Sequence, residues 1–62
     1  MSEDEAKAEA LRRWHELPED ERQTVDQAHA FALKITPHLV YDGNGNPYEN
    51  IKRWLRGDLL GR

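Results

Sequence analysis

A chain of 62 residues with 12 acids, 9 lysines and arginines and no cysteine is one small domain without a disulfide framework, a thiolate zinc site or a thiol nucleophile. A chain this short buries only about 60% of the surface its unfolded form exposes. With 37% hydrophobic and 34% charged residues, its core must come from a few side chains or be shared with a partner.

The acidic start lacks the basic and apolar segments of a secretory signal, and no apolar run approaches the roughly 20 residues that cross a bilayer. A cytoplasmic protein of bacterial, phage or plasmid type is expected, with no membrane partner. Charge is uneven along the chain. Residues 1–21 carry eight acids against Lys7, Arg12 and Arg13, whereas residues 47–62 carry Lys52, Arg53, Arg56 and Arg62 against Glu49 and Asp58. Such asymmetry either steers a partner or draws the two ends of the chain together, and the second is favoured here.

Ser2-Glu3-Asp4-Glu5 is a capping box, because the Ser2 hydroxyl can accept from the N–H of Glu5 while the Glu5 carboxylate reaches back. It predicts a helix from about Glu3 to Glu16. Ala6, Ala10, Leu11, Trp14 and Leu17 share one side, Glu9 and Arg13 are spaced for an ion pair, and residues 1–5 are expected to be loose. The short connection through Leu17-Pro18 makes a helical hairpin with the next element.

Asp20 to Ile35 is the best amphipathic run, with Val25, Ala28, Phe31, Ala32 and Ile35 on one arc. It reads as the stretch on which the rest packs. Either Pro18 at the first helical position or Asp20 as N-cap with Gln23 three residues on would start it, and Thr36-Pro37 would end it. Next, Leu39, Val40 and Tyr41 are expected to plug the open end of the hairpin from a mostly extended link. The competing forms for this stretch and residues 38–48 are a short turn of helix begun at Thr36-Pro37 and ended by Gly43, or a strand leading into a small hairpin with Pro47-Tyr48. Asp42-Gly43-Asn44-Gly45-Asn46 is dense turn chemistry. Asn46-Pro47-Tyr48-Glu49 starts a last helix by cap, proline and acid, and Gly57 is the expected stop after Arg56. Leu59 and Leu60 are expected to fold back on the core. The fold class is therefore all-α: one domain over residues 1–62, with a helical hairpin and a third helix after a Gly/Asn-rich loop.

Asp42, Asn44 and Asn46 match the first three side-chain ligands of a calcium loop, but Pro47 stands where glycine is needed and Arg53 where a bidentate carboxylate is needed. A turn explains the same residues, so no metal is expected. His15, His29 and His38 share no helix face at the spacing of a zinc site. His29, at the edge of the apolar arc, reads as half-buried with one hydrogen bond, and a protonation switch is the sharper alternative. Ser2, Thr24 and Thr36 each have a structural reading, and the clustered carboxylates sit at helix starts and not in a cleft. No catalytic residue, cofactor or enzyme activity is expected.

Lys52, Arg53 and Arg56 with Trp54 form the candidate partner-binding set, since an aromatic beside arginine is the usual composition of an interface hot spot. The plain alternative puts Trp54 in the core and the cations on a solvated face. A small regulatory or accessory module that docks on a larger protein is the expected function. Homodimerisation is its nearest rival. Nucleic-acid binding through the same basic helix is the second function, weighed against a pI near 5.5 and a ten-residue connection from Pro37 to Asn46, long for a helix-turn-helix. The stretch PYENIKRWLRGDLLGR also resembles the last helix of the small theta subunit of bacterial replicative polymerases, in its Pro, Glu, Trp and spaced-arginine pattern. That family continues helical where Gly57 stands.

Overall fold

The computed structural model of the chain describes residues 1–43 and 45–61. Three helices form: α1 over Glu3–His15, α2 over Val25–Ile35 and α3 over Pro47–Leu60. The described residues form no strand, and the architecture is the all-α three-helix domain that the apolar periodicities predict.

The α1 capping box forms as expected, with Ser2 Oγ accepting from the Glu5 N–H at 3.2 Å and Glu5 Oε1 accepting from the Ser2 N–H at 3.2 Å. Residues 1–5 are tied down instead of loose. Ser2 makes an isolated parallel bridge with Asp42, whose N–H donates to the Met1 carbonyl at 3.2 Å. On the outer face, Arg13 Nε meets Glu9 at 3.0 Å, and Arg12 pairs with both Glu9 and Glu16.

The start of α2 lies further along than either predicted boundary. Glu19–Glu21 forms a separate 3-10 turn, and Thr24 is the N-cap, with its hydroxyl accepting from Gln27 N–H at 3.1 Å while Gln27 Oε1 accepts from Thr24 N–H at 3.0 Å. The same pattern of capping box expected at Asp20 and Gln23 is thus made four residues later. Gln23 instead donates its side chain to the Glu19 carbonyl, at 2.7 Å. At the other end, α2 stops at Ile35 and Thr36–His38 makes a single 3-10 turn, in keeping with Pro37.

The central element is α3 and not, as expected, the Asp20–Ile35 stretch: α3 packs against α2 most extensively and against α1 next, while α1 and α2 approach each other little. Trp14 and Phe31 bridge those two, with ring centroids 5.6 Å apart. Asn46 caps α3 by accepting from Tyr48 and Glu49 N–H. The predicted stop at Gly57 does not occur, and the helix runs through it to Leu60. Asp58 explains the continuation: its Oδ2 accepts from Trp14 Nε1 at 3.2 Å and lies 3.0 Å from His15 Nε2, anchoring the next turn to α1. Leu59 and Leu60 accordingly extend the helix and do not fold back. Leu59 is half-buried and Leu60 is exposed.

The core is alanine-rich. Ala6, Ala10, Ala28 and Ala32 are fully buried, and the large side chains with no exposed surface to speak of are Trp14, Leu39, Ile51 and Leu55. Leu39 plugs the end of the helices as expected and Tyr41 lies half-buried beside it, but Val40 points outward at 82% exposure. No hairpin forms among the described residues of 38–48. Gly45 alone among the described residues takes a positive φ, of 83°, which lets the chain turn into the Asn46 cap.

Candidate functional site

Successive residues of a helix are turned by about 100°, so Lys52, Arg53, Trp54 and Arg56 cannot share one narrow face of α3. Arg53 and Trp54 come together in an open recess of about 530 Å³ between α1 and α3, lined also by Lys7, Leu11, Gly57 and Asp58. Lys52 and Arg56 lie outside it. Lys52 sits on the other flank, where its Nζ is 3.3 Å from Glu49 and 4.9 Å above the Tyr48 ring centroid. Arg56 is exposed and makes no hydrogen bond or ion pair with any described residue.

Trp54 is half-buried. Its inner edge packs on the core, and its ring lies 5.8 Å from that of Tyr41 at an interplanar angle of 41°. The loop holds Tyr41 in place through a polar contact of its own. Asn50, buried on α3, donates to the Tyr41 hydroxyl at 3.1 Å and accepts from Arg53 at 3.2 Å, so one amide links the loop, the helix and the recess wall. Asp58 closes one end of the recess while bonded to Trp14 and facing His15. Lys7 has no acid partner among the described residues.

Tyr41, Lys7, Leu11, Gly57 and Asp58 escaped the sequence reading as site residues. One usable signal was present for Gly57 and Asp58, because the apolar spacing of Ile51 and Leu55 continues to Leu59 if the helix is carried through the glycine. For Lys7 and Leu11, which come from another helix, periodicity holds no such signal.

The remaining candidates fall into structural roles. Asn46 spends its side-chain oxygen on the α3 cap and Asp42 joins Ser2 through its backbone, while Asn44 lies outside the described residues, as does Arg62. No group of three or more His, Cys, Asp or Glu converges as a metal site among the described residues. His29 does not make the single expected hydrogen bond at Nε2, which is buried without a partner among the described residues. A smaller, shallow recess of about 240 Å³ runs past Leu17, Ala30 and Phe31, with Glu21 and Lys34 both on its rim. No helix of the described residues is long and apolar enough to cross a membrane.

Fold and recess together define a small all-α domain with an aromatic and cationic surface recess. No family model matches the chain, and neither curated proteins nor solved structures return a match.

Proposed function

We propose that this protein is a small non-enzymatic binding module, regulatory or accessory in role, that docks the outward surface of α3 on a larger protein, with Trp54 and Arg53 at the centre of the contact and Arg56 and Lys52 on its two flanks. The carrying observation is a tryptophan half out of the core beside an arginine with no carboxylate partner among the described residues. Tryptophan and arginine dominate the binding energy of measured interfaces, where each desolvated anchor is worth about 2 kcal/mol or more. The serine and threonine hydroxyls are engaged in structure, which supports a role without covalent chemistry. Ser2 and Thr24 accept at helix caps, and Thr36 donates to the Ala32 carbonyl at 2.6 Å.

An Arg53→Glu, Arg56→Glu double variant and a Trp54→Ala variant are each expected to lose a host protein captured by the wild type, with the helical signal retained. A partner held equally by all three removes α3 from the interface. Self-association about a two-fold axis is the competing form of the same role, and the solution mass of the purified protein separates the two.

The absence of acid partners for Lys7, Arg53 and Arg56 among the described residues also favours a second reading, nucleic-acid binding by the basic edge of α3. Salt separates them. Phosphate binding collapses between low and moderate ionic strength because bound counterions are released, whereas a packed protein interface changes little.

A further inference from the structure

Resting on the protein-docking role proposed above, we infer that the recess between α1 and α3 receives an acidic segment of the partner. An apolar side chain of that segment seats over Leu11, Trp54 and Gly57, and its carboxylates meet Lys7 and Arg53. Three independent features point to that occupant.

The first is charge. Arg12, Arg13 and Lys52 each have a carboxylate within their own helix. Lys7 and Arg53 have none among the described residues, as is also true of Arg22, Lys34 and Arg56, but only Lys7 and Arg53 line the same recess. The one carboxylate on the recess wall, Asp58, is already turned to Trp14 and His15. Both cations therefore remain available to acceptors from outside.

The second is Gly57. A glycine within a helix is destabilising relative to alanine. Neither usual reason for one applies, since φ is not positive and a Cβ built there would meet nothing within 4 Å. What the missing side chain does is leave the recess open beside Trp54, where another backbone or side chain can come close.

The third is the floor. Leu11 and Trp54 are both half-buried, offering apolar surface that an aliphatic or aromatic side chain covers. A phosphate backbone would satisfy the cations and leave that surface wet. It would also meet a chain whose net charge is −3, so an acidic peptide fits better than a nucleic acid.

The test is selection from a randomised peptide library displayed on phage, against the full chain, with Gly57→Leu as the counter-target. Leucine there occupies the recess, adds or removes no charge and improves helix propensity, so this variant should melt at or above the wild-type temperature. Peptides that join an apolar residue to aspartate or glutamate are expected to be enriched, and Gly57→Leu should weaken them about tenfold or more. A Lys7→Glu, Arg53→Glu double variant should turn the selected flanks from acidic to basic. No enrichment over background, enrichment indifferent to Gly57→Leu, or neutral flanks unchanged by the charge reversal each overturns the inference. So does an oligonucleotide that binds the wild type and is blocked by Gly57→Leu. A host partner lost from Trp54→Ala but retained by Gly57→Leu would sink the recess while leaving the docking role standing.

Discussion

His29 carries a buried ring nitrogen without a hydrogen-bond partner among the described residues, in a helix that otherwise follows its apolar arc. Leaving such a group unsatisfied costs about 1–3 kcal/mol. Replacing it by a hydrocarbon, His29→Leu, should therefore raise the urea midpoint of unfolding, and a lower midpoint would show that the imidazole has a use. At the surface, two glutamates have folded-state affinities that set an acid limit. Glu5 is held below its ordinary pKa by the Ser2 backbone N–H and then by the Ser2 hydroxyl, and Glu9 by hydrogen bonds from Arg12 and then Arg13. A lowered folded pKa means stability that is present above the unfolded value and lost as pH falls through the folded one. Carboxyl-carbon titration by NMR should place both midpoints below the ordinary glutamate range, with the helical content of α1 falling as they are crossed. Trp14 and Trp54 mark the limit of legibility at this scale. Trp14 lies on the apolar arc of α1 and is buried as that position implies, whereas the sequence left Trp54 open between core and interface, and it proves half-buried. The burial of Asn50 is not readable, because its partner Tyr41 reaches it across an irregular loop.

Helices were easier to foresee than their ends. Caps made by side chains adjacent in sequence, such as Ser2 with Glu5 and Asn46 with the first turn of α3, are local chemistry and stand in the sequence. The start of α2 was expected too early, at Pro18 or at Asp20 with Gln23, because a second capping box four residues on, Thr24 with Gln27, is the one that forms. The end of α3 was decided at a distance: Asp58 reaches α1, and that tertiary contact overrides the tendency of Gly57 to stop a helix. Gly57→Ala should accordingly stabilise the protein by about 0.5–1 kcal/mol, a rise of several degrees in Tm for a domain of this size. A fall in Tm would mean that the glycine is needed inside the fold.

The whole molecule stands on very few large side chains. Four of its buried apolar residues are alanines, so Trp14, Leu39, Ile51 and Leu55 supply most of the packed volume. A single core of this size rarely yields more than about 3–5 kcal/mol, and truncating a buried tryptophan costs about the same. Trp14→Ala should therefore unfold the chain outright, seen as collapsed amide dispersion at room temperature; a dispersed spectrum would mean that the core has reserves elsewhere. Fold class was legible because it depends on periodicity. The joining of the ends by opposite charge, also expected, is not how the described residues close the fold. Their ion pairs lie within α1 and within α3 except for His15 with Asp58, where the acid comes from the basic end of the chain.

The clasp between Met1 and Asp42 bears on how this protein should be handled. It fixes the chain's leading residues next to Tyr41, whose ring braces Trp54. A purification handle joined ahead of Met1 therefore departs close to the surface around Trp54, and binding constants measured with and without it become a report on how firmly that brace is held.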